Sequence, residues 1–151
     1  MENLFTITRQ NRKILHRYLQ QLSKEELIKI PVGFNNNIWW NIAHVVVTQQ
    51  RLVYGLSGME MHVSQTLDEK YRKGTFPTGD LVDEEYEGIT KLLFSAIEKT
   101  EVDYHNGVFT SFDAYMTSPK VPLNSVEDAI AFNVFHEGLH LGAILALQKA
   151  I

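Results

Sequence analysis

The chain has 151 residues, 14 Lys and Arg against 18 Asp and Glu for a net charge of −4, 44% hydrophobic residues and no cysteine. That length suits a single domain over residues 1–151 with its own apolar core. Lacking cysteine, it has no disulfides, thiolate metal sites or thiol nucleophiles, so a metal would have to be held by imidazole or carboxylate.

The N-terminus, Met1-Glu2-Asn3-Leu4, has no signal-peptide pattern. No apolar stretch is read as long enough to span a bilayer, and no basic run offers a footprint for a phosphate backbone. The expected compartment is therefore the cytoplasm, and neither a membrane nor nucleic acid is an expected partner. Residues 4–22 place Leu4, Ile7, Asn11, Ile14, Leu15, Tyr18 and Leu22 at helical steps, with Arg9, Arg12, Lys13 and His16 assigned to the opposite, polar side. Ser23 with Glu26 forms a capping box that opens a short helical turn ended by Pro31. After Asn35-Asn36-Asn37, residues 38–56 are apolar nearly all round and predict a helix buried on several sides.

Residues 59–79 hold Gly74, Pro77 and Gly79 without sustained periodicity and read as a long crossover. Acidic Asp80, Asp83, Glu84 and Glu85 then precede a helix whose face is Tyr86, Ile89, Leu93 and Ile97, ending near Thr100. Residues 103–124 read as a packed loop with room for a short hairpin. Ser125 with Asp128 starts a last helix from about Val126 to Lys149, again apolar on most sides. Four long helices with two extended connections predict an all-α four-helix bundle with crossover topology. The second and fourth long helices carry more apolar surface than one such core consumes. A symmetric homodimer is expected from that surplus, or the two long loops cover it within one chain.

His136 and His140 lie four apart in the last helix, so both imidazoles can converge on one ion. A buried histidine pair satisfied by hydroxyls and water is the competing reading. His136-Glu137-Gly138-Leu139-His140 also matches the H-E-x-x-H pattern of zinc proteases, but the Gly and third His of the extended protease pattern are replaced here by Ala143 and Ala146. No acidic residue follows Glu137, so a further ligand has to lie upstream. His44 is the best candidate because it sits within the other nearly all-apolar helix, whereas His16, His62 and His105 are expected to be solvated. Three histidines leave a coordination position open, as in reactive rather than structural sites. Asn41 and Asn133 each precede a histidine by three residues and can accept a proton from the non-ligating ring nitrogens, or can bond to each other or to the loops. Glu137 points about 100° around the helix from His136, which argues against a general-base role.

Three segments together resemble the DinB-like superfamily: Asn35-Asn36-Asn37-Ile-Trp-Trp-Asn41-Ile-Ala-His44, Tyr71-Arg72-Lys73-Gly74-Thr75, and Ser125 through His140-Leu-Gly. The resemblance covers nearly the whole chain. It implies a bundle of up-down-down-up order with one divalent metal on His44, His136 and His140, zinc or nickel first and iron next. It further implies a small-molecule substrate, with relatives that include S-transferases using low-molecular-weight thiols such as bacillithiol and a mycothiol-dependent isomerase. On that basis Arg51, Tyr54, Tyr71, Arg72 and Lys73 could grip an anionic thiol cosubstrate, although each is more often simply a solvated or packing residue. A metal-dependent hydrolase and a non-catalytic metal-binding stress-response module are the alternatives.

Overall fold

The computed structural model describes residues 1–151 as an all-α architecture with one very small hairpin. The elements in order are α1 (Glu2–Gln21), α2 (Lys24–Ile28), α3 (Ile38–Gln50), α4 (Gln65–Tyr71), α5 (Asp83–His105), a hairpin of β1 (Tyr115–Met116) and β2 (Pro122–Leu123), and α6 (Val126–Gln148). The caps follow from the sequence. Ser23 and Glu26 form the full reciprocal box, Asn37 accepts from the Trp40 amide at 2.7 Å, and Ser125 accepts from the Asp128 amide at 3.2 Å. Each satisfies an amide that the helix start leaves without a partner.

Three boundaries differ from expectation. The helix from residue 38 is α-helical only to Gln50 and then widens into a π-helical turn over Arg51–Gly55, a feature common beside functional sites. The 59–79 crossover contains α4, which Ser64 caps by accepting from the Leu67 amide. The helix expected to end near Thr100 runs on to His105.

The four long helices pack in a ring: α3 against α6, α6 against α1, α1 against α5, and α5 against α3. Two apolar clusters fill the interior. The larger gathers Leu15 and Leu19 of α1, most of α3, Ile89 and Leu93 of α5, and Ile144 and Leu147 of α6. The smaller gathers Phe5, Leu52 to Tyr54, Ile97, and Val126, Ala129 and Ile130. Between them lies a belt of buried polar side chains: Thr8, Arg12, His44, Gln49, Gln50, Thr100, Asn133 and Glu137.

Arg12 corrects the sequence reading of α1. Its charge places it on the polar side, yet it is 1% exposed, while Ile7 of the expected core stripe is 44% exposed. The face that packs inward is Phe5, Thr8, Arg12, Leu15 and Leu19, because the interior offers a carboxylate opposite Arg12. The apolar surplus of α3 is consumed, since twelve of its thirteen residues are buried. That of α6 is not: Phe135, Leu139 and Leu145 remain about half exposed. By length and composition α6 is also apolar enough to cross a bilayer, contrary to the expectation that no stretch is. It nonetheless carries Glu127 and Asp128 in its first turn, and its buried Glu137 pairs with Arg12.

Leu93 is fully buried in the larger cluster. Leu93→Ala should lower unfolding free energy by about 2–5 kcal/mol, whereas Ile7→Ala should change it by less than about 0.5 kcal/mol. Urea unfolding of the two variants checks both.

Candidate metal centre

His44 lies near the middle of α3, and α6 passes beside it with His136 and His140 one turn apart. A ring nitrogen from each of the three approaches the others to within 4.8 Å. His44 and His140 have ring centroids 4.7 Å apart, and His136 and His140 4.5 Å. His44 is buried and the other two are half buried.

The outward nitrogens of two of these rings are already fixed. Nδ1 of His44 is 2.6 Å from the backbone oxygen of Tyr71, to which it donates, leaving the Nε2 lone pair free. Nδ1 of His140 lies 2.7 Å from Asn41 Oδ1. The orientation of that carboxamide is set by its own amide group, which donates to Asn37 O and Asn36 Oδ1. Nε2 of His140 therefore also presents a lone pair, 3.2 Å from Nε2 of His136. The Trp40 ring stacks on His44 at 4.5 Å and 12°, and Thr48 Oγ1 lies 3.2 Å from His44 Nε2.

Tyr71 holds His44 through its backbone because its side chain is anchored. Its hydroxyl accepts from Trp39 Nε1 at 2.7 Å and donates to Glu85, which also accepts from Lys70 at 2.6 Å. Burial, with Glu85 beside it, pushes the phenol well above its ordinary pKa, so it stays neutral. The end of α4 is thus tied to α3 and α5 where His44 needs an acceptor.

Neither asparagine is hydrogen-bonded to the histidine three residues ahead of it. Asn41 holds His140 on the other helix, since its carboxamide faces α6 across the interface. Asn133 donates its amide hydrogen to Glu137 Oε1 at 2.9 Å, the carboxylate one turn on, and its Oδ1 has no partner. Glu137, fully buried, also accepts from Arg12 Nε and Nη2 at 3.0 and 2.7 Å. Of the other histidines, His105 is exposed and pairs with Glu2, His16 meets Phe94 edge-on at 5.3 Å, and His62 packs edge-on against Tyr54 at 4.7 Å. None of these three joins the cluster.

A cavity of about 560 Å³ opens against the cluster. His44, His136, Thr48, Arg51 and Lys73 line it together with Leu52, Leu56, Met61, Phe132, Phe135 and Leu139, and the hairpin turn Thr117 to Pro119 forms one wall. Of Tyr54, Tyr71, Arg72, Lys73 and Arg51, the candidates for such a grip, Arg51 and Lys73 are in its wall. Tyr54 and Tyr71 are buried with hydroxyls committed to Asp103 and to Trp39 and Glu85, and Arg72 is not in the wall. Arg51 lines the cavity, but its Nη1 is clamped by both Asp68 oxygens at 2.9 and 2.8 Å. Lys73 is the cation in the wall without such a clamp. Thr48 and the aromatic wall escaped the sequence reading, although Thr48 stands four residues after His44 and Phe132 four before His136.

The histidines are held neutral. Burial lowers the pKa of all three; His136 falls to about 3, aided by the neighbouring His140, His44 and Arg12 charges, and His140 to about 4, aided by His44. Neutral imidazole is the ligating form. Because the folded values lie below the unfolded value of 6.5, the unfolded chain binds more protons in acid. The contribution is whole above pH 6.5 and is lost as pH falls toward about 4 and then 3. Chemical denaturation of the metal-free protein should show a plateau above about pH 6.5 and a decline from there toward about pH 3, smaller in His136→Asn.

No curated protein matches this chain. The DinB superfamily matches it over residues 7–144, a span that takes in α3, α4, α5, the hairpin and all three clustered histidines. The chain belongs to the DinB superfamily.

Proposed function

We propose that the protein holds one divalent metal ion on His44, His136 and His140 and is a metal-dependent enzyme acting on a small molecule, with thiol S-transfer as the leading reaction. The observation that carries this reading is the convergence of three neutral imidazoles, two of which, His44 and His136, line a largely apolar cavity. The donor set fits such an ion. Two rings already present lone pairs through fixed tautomers, and the close approach of His136 Nε2 to His140 Nε2 is one that a shared cation satisfies. Three imidazoles suit zinc, nickel and iron alike. When bound, such an ion would act as a Lewis acid and lower the pKa of a nearby thiol.

The chain's own residues do the rest. Phe132, Phe135, Leu139, Leu52 and Met61 provide apolar walls for the electrophile and exclude water around it. Lys73 offers a positive charge for an anionic group on the cosubstrate. In the transfer, the sulfur of a low-molecular-weight thiol bonds to the electrophilic carbon, the bond from that carbon to the leaving group breaks with its electron pair departing, and the thiol proton passes to solvent. Hydrolysis stands second. Glu137, which a hydrolase reading would use as base, has one oxygen occupied by Arg12 and Asn133 and is fully buried.

The up-down-down-up order expected of this single-domain chain is favoured by the smaller apolar cluster, which takes the beginnings of α1 and α6 and the ends of α3 and α5. We also propose that a second copy covers the exposed apolar residues of α6 in a symmetric dimer.

Three measurements test this reading. Elemental analysis should find one metal per chain in the wild type and none in His44→Ala, with His62→Ala unaffected; full metal in His44→Ala would sink the ligand assignment. Thiol consumption against a panel of electrophiles should depend on added metal and fall at least about 100-fold in His136→Ala. Equal rates in the two proteins would remove the enzymatic reading. Light scattering should give twice the 17.3 kDa chain mass, shifted toward the monomer by Leu139→Asp.

A further inference from the structure

Four buried polar atoms near the middle of the bundle have no hydrogen-bond partner: Arg12 Nη1, Asn133 Oδ1, Glu137 Oε2 and His136 Nδ1. Three of them sit within one helical turn of α6, and the fourth belongs to the arginine that α1 presents to that turn. Such a concentration is costly unless the atoms have a use, because each unpaired buried group forfeits its hydration.

His136 supplies the use. Across the 3.2 Å contact with His140, one Nε2 has to donate, and His140 has committed its proton at Nδ1 to Asn41. The donor is therefore Nε2–H of His136, which leaves its Nδ1 as a lone pair. That tautomer cannot ligate through Nε2. To take up a cation with the other two rings, His136 has to carry its proton on Nδ1 instead, and a buried N–H then needs an acceptor. The acceptors without donors on that turn are Glu137 Oε2 and Asn133 Oδ1. Of these the carboxylate is the stronger, and Arg12 holds it in place by its other oxygen.

We propose that Glu137, held by Arg12, is a positioning residue of the metal centre: its free oxygen accepts the Nδ1 proton of His136, directly or through one ordered water, and so fixes the ligating tautomer. This rests on the metal reading given above. It gives the H-E-x-x-H glutamate a role behind the ligand and ties α1, which contributes no ligand, to the site. Metal uptake moves a proton across the His136 ring, and the ion pair receives it on the far side.

The test uses full-length protein and zinc ion with a competing fluorescent chelator. Removing Glu137 alone strands the buried Arg12 charge and can unfold the chain, so the informative variant is Arg12→Met with Glu137→Leu, an apolar replacement of the whole pair that buried ion pairs often tolerate. It should stay folded and still take one zinc in excess metal, with affinity lowered by about 10–100-fold. Affinity within about twofold of wild type in the folded variant would overturn the proposal, as would a loss confined to Asn133→Ser, which would make Asn133 Oδ1 the acceptor.

A second measurement needs no variant. In two-bond proton–nitrogen spectra of 15N-labelled wild type, zinc should move the His136 proton from Nε2 to a slowly exchanging Nδ1–H. A zinc-loaded His136 without a proton on Nδ1 contradicts the assignment. Failure of the underlying metal reading is separate: then wild type takes no zinc from the chelator, or His44→Ala binds it as well as wild type does.

Discussion

The buried ion pair between Arg12 and Glu137 is the constraint around which the bundle is arranged. Both side chains are essentially inaccessible to solvent, and a charge buried without its partner typically costs about 3–5 kcal/mol. The pair therefore fixes how α1 meets α6, because any rotation of α1 that brought Arg12 to the surface would strand Glu137. That same rotation sets which face of α6 turns inward, and hence where His136 and His140 stand. Stability and site geometry share one interaction here. Hydrophobic burial is non-directional, so the two apolar clusters on either side of the belt can tolerate repacking. The belt can do so far less, since its hydrogen bonds have fixed partners.

A second chain of contacts performs the same service for His44. Trp39 and Glu85 hold the Tyr71 hydroxyl, the Tyr71 carbonyl takes the His44 proton, and Trp40 stacks on the imidazole face. α4, a short helix that a loop could have replaced, thereby becomes part of the centre. The π-helical turn after α3 is a further local departure from regular structure, and Arg51, Leu52 and Gly55 from it line the cavity. Irregular backbone and half-exposed apolar side chains thus gather beside His44 and His136 at the cavity.

Much of this was legible in the sequence, and the failures have physical causes. The capping residues Ser23, Asn37 and Ser125 marked three helix starts, because each side chain satisfies an amide that only a helix start leaves free. His136 and His140 announced a pair through their spacing alone. Arg12 misled because its charge outweighed its phase: Phe5, Thr8, Arg12, Leu15, Leu19 and Leu22 form an unbroken three-and-four stripe with arginine at its centre. The corresponding stripe in α6 runs through Val126, Ile130, Asn133, Glu137, Ile144 and Leu147. Two charged residues of opposite sign, each on the core stripe of its own helix, are a signal of a buried pair. The partners of Asn41 were not legible, since a residue's contacts across a helix interface depend on crossing geometry rather than on spacing along its own helix. α4 was hidden by the glycines and proline that follow it, although Val63, Leu67 and Tyr71 keep a four-residue step.

The central claim is that three imidazoles, two from α6 and one from α3, share one cation with a coordination position left open toward the cavity. X-ray absorption spectroscopy of the zinc-loaded protein addresses it most directly. The account predicts imidazole scattering from three histidines with nitrogen at about 2.0–2.1 Å and at least one further oxygen from solvent. A shell with two imidazoles or fewer, or with a bidentate carboxylate in place of one, would contradict it.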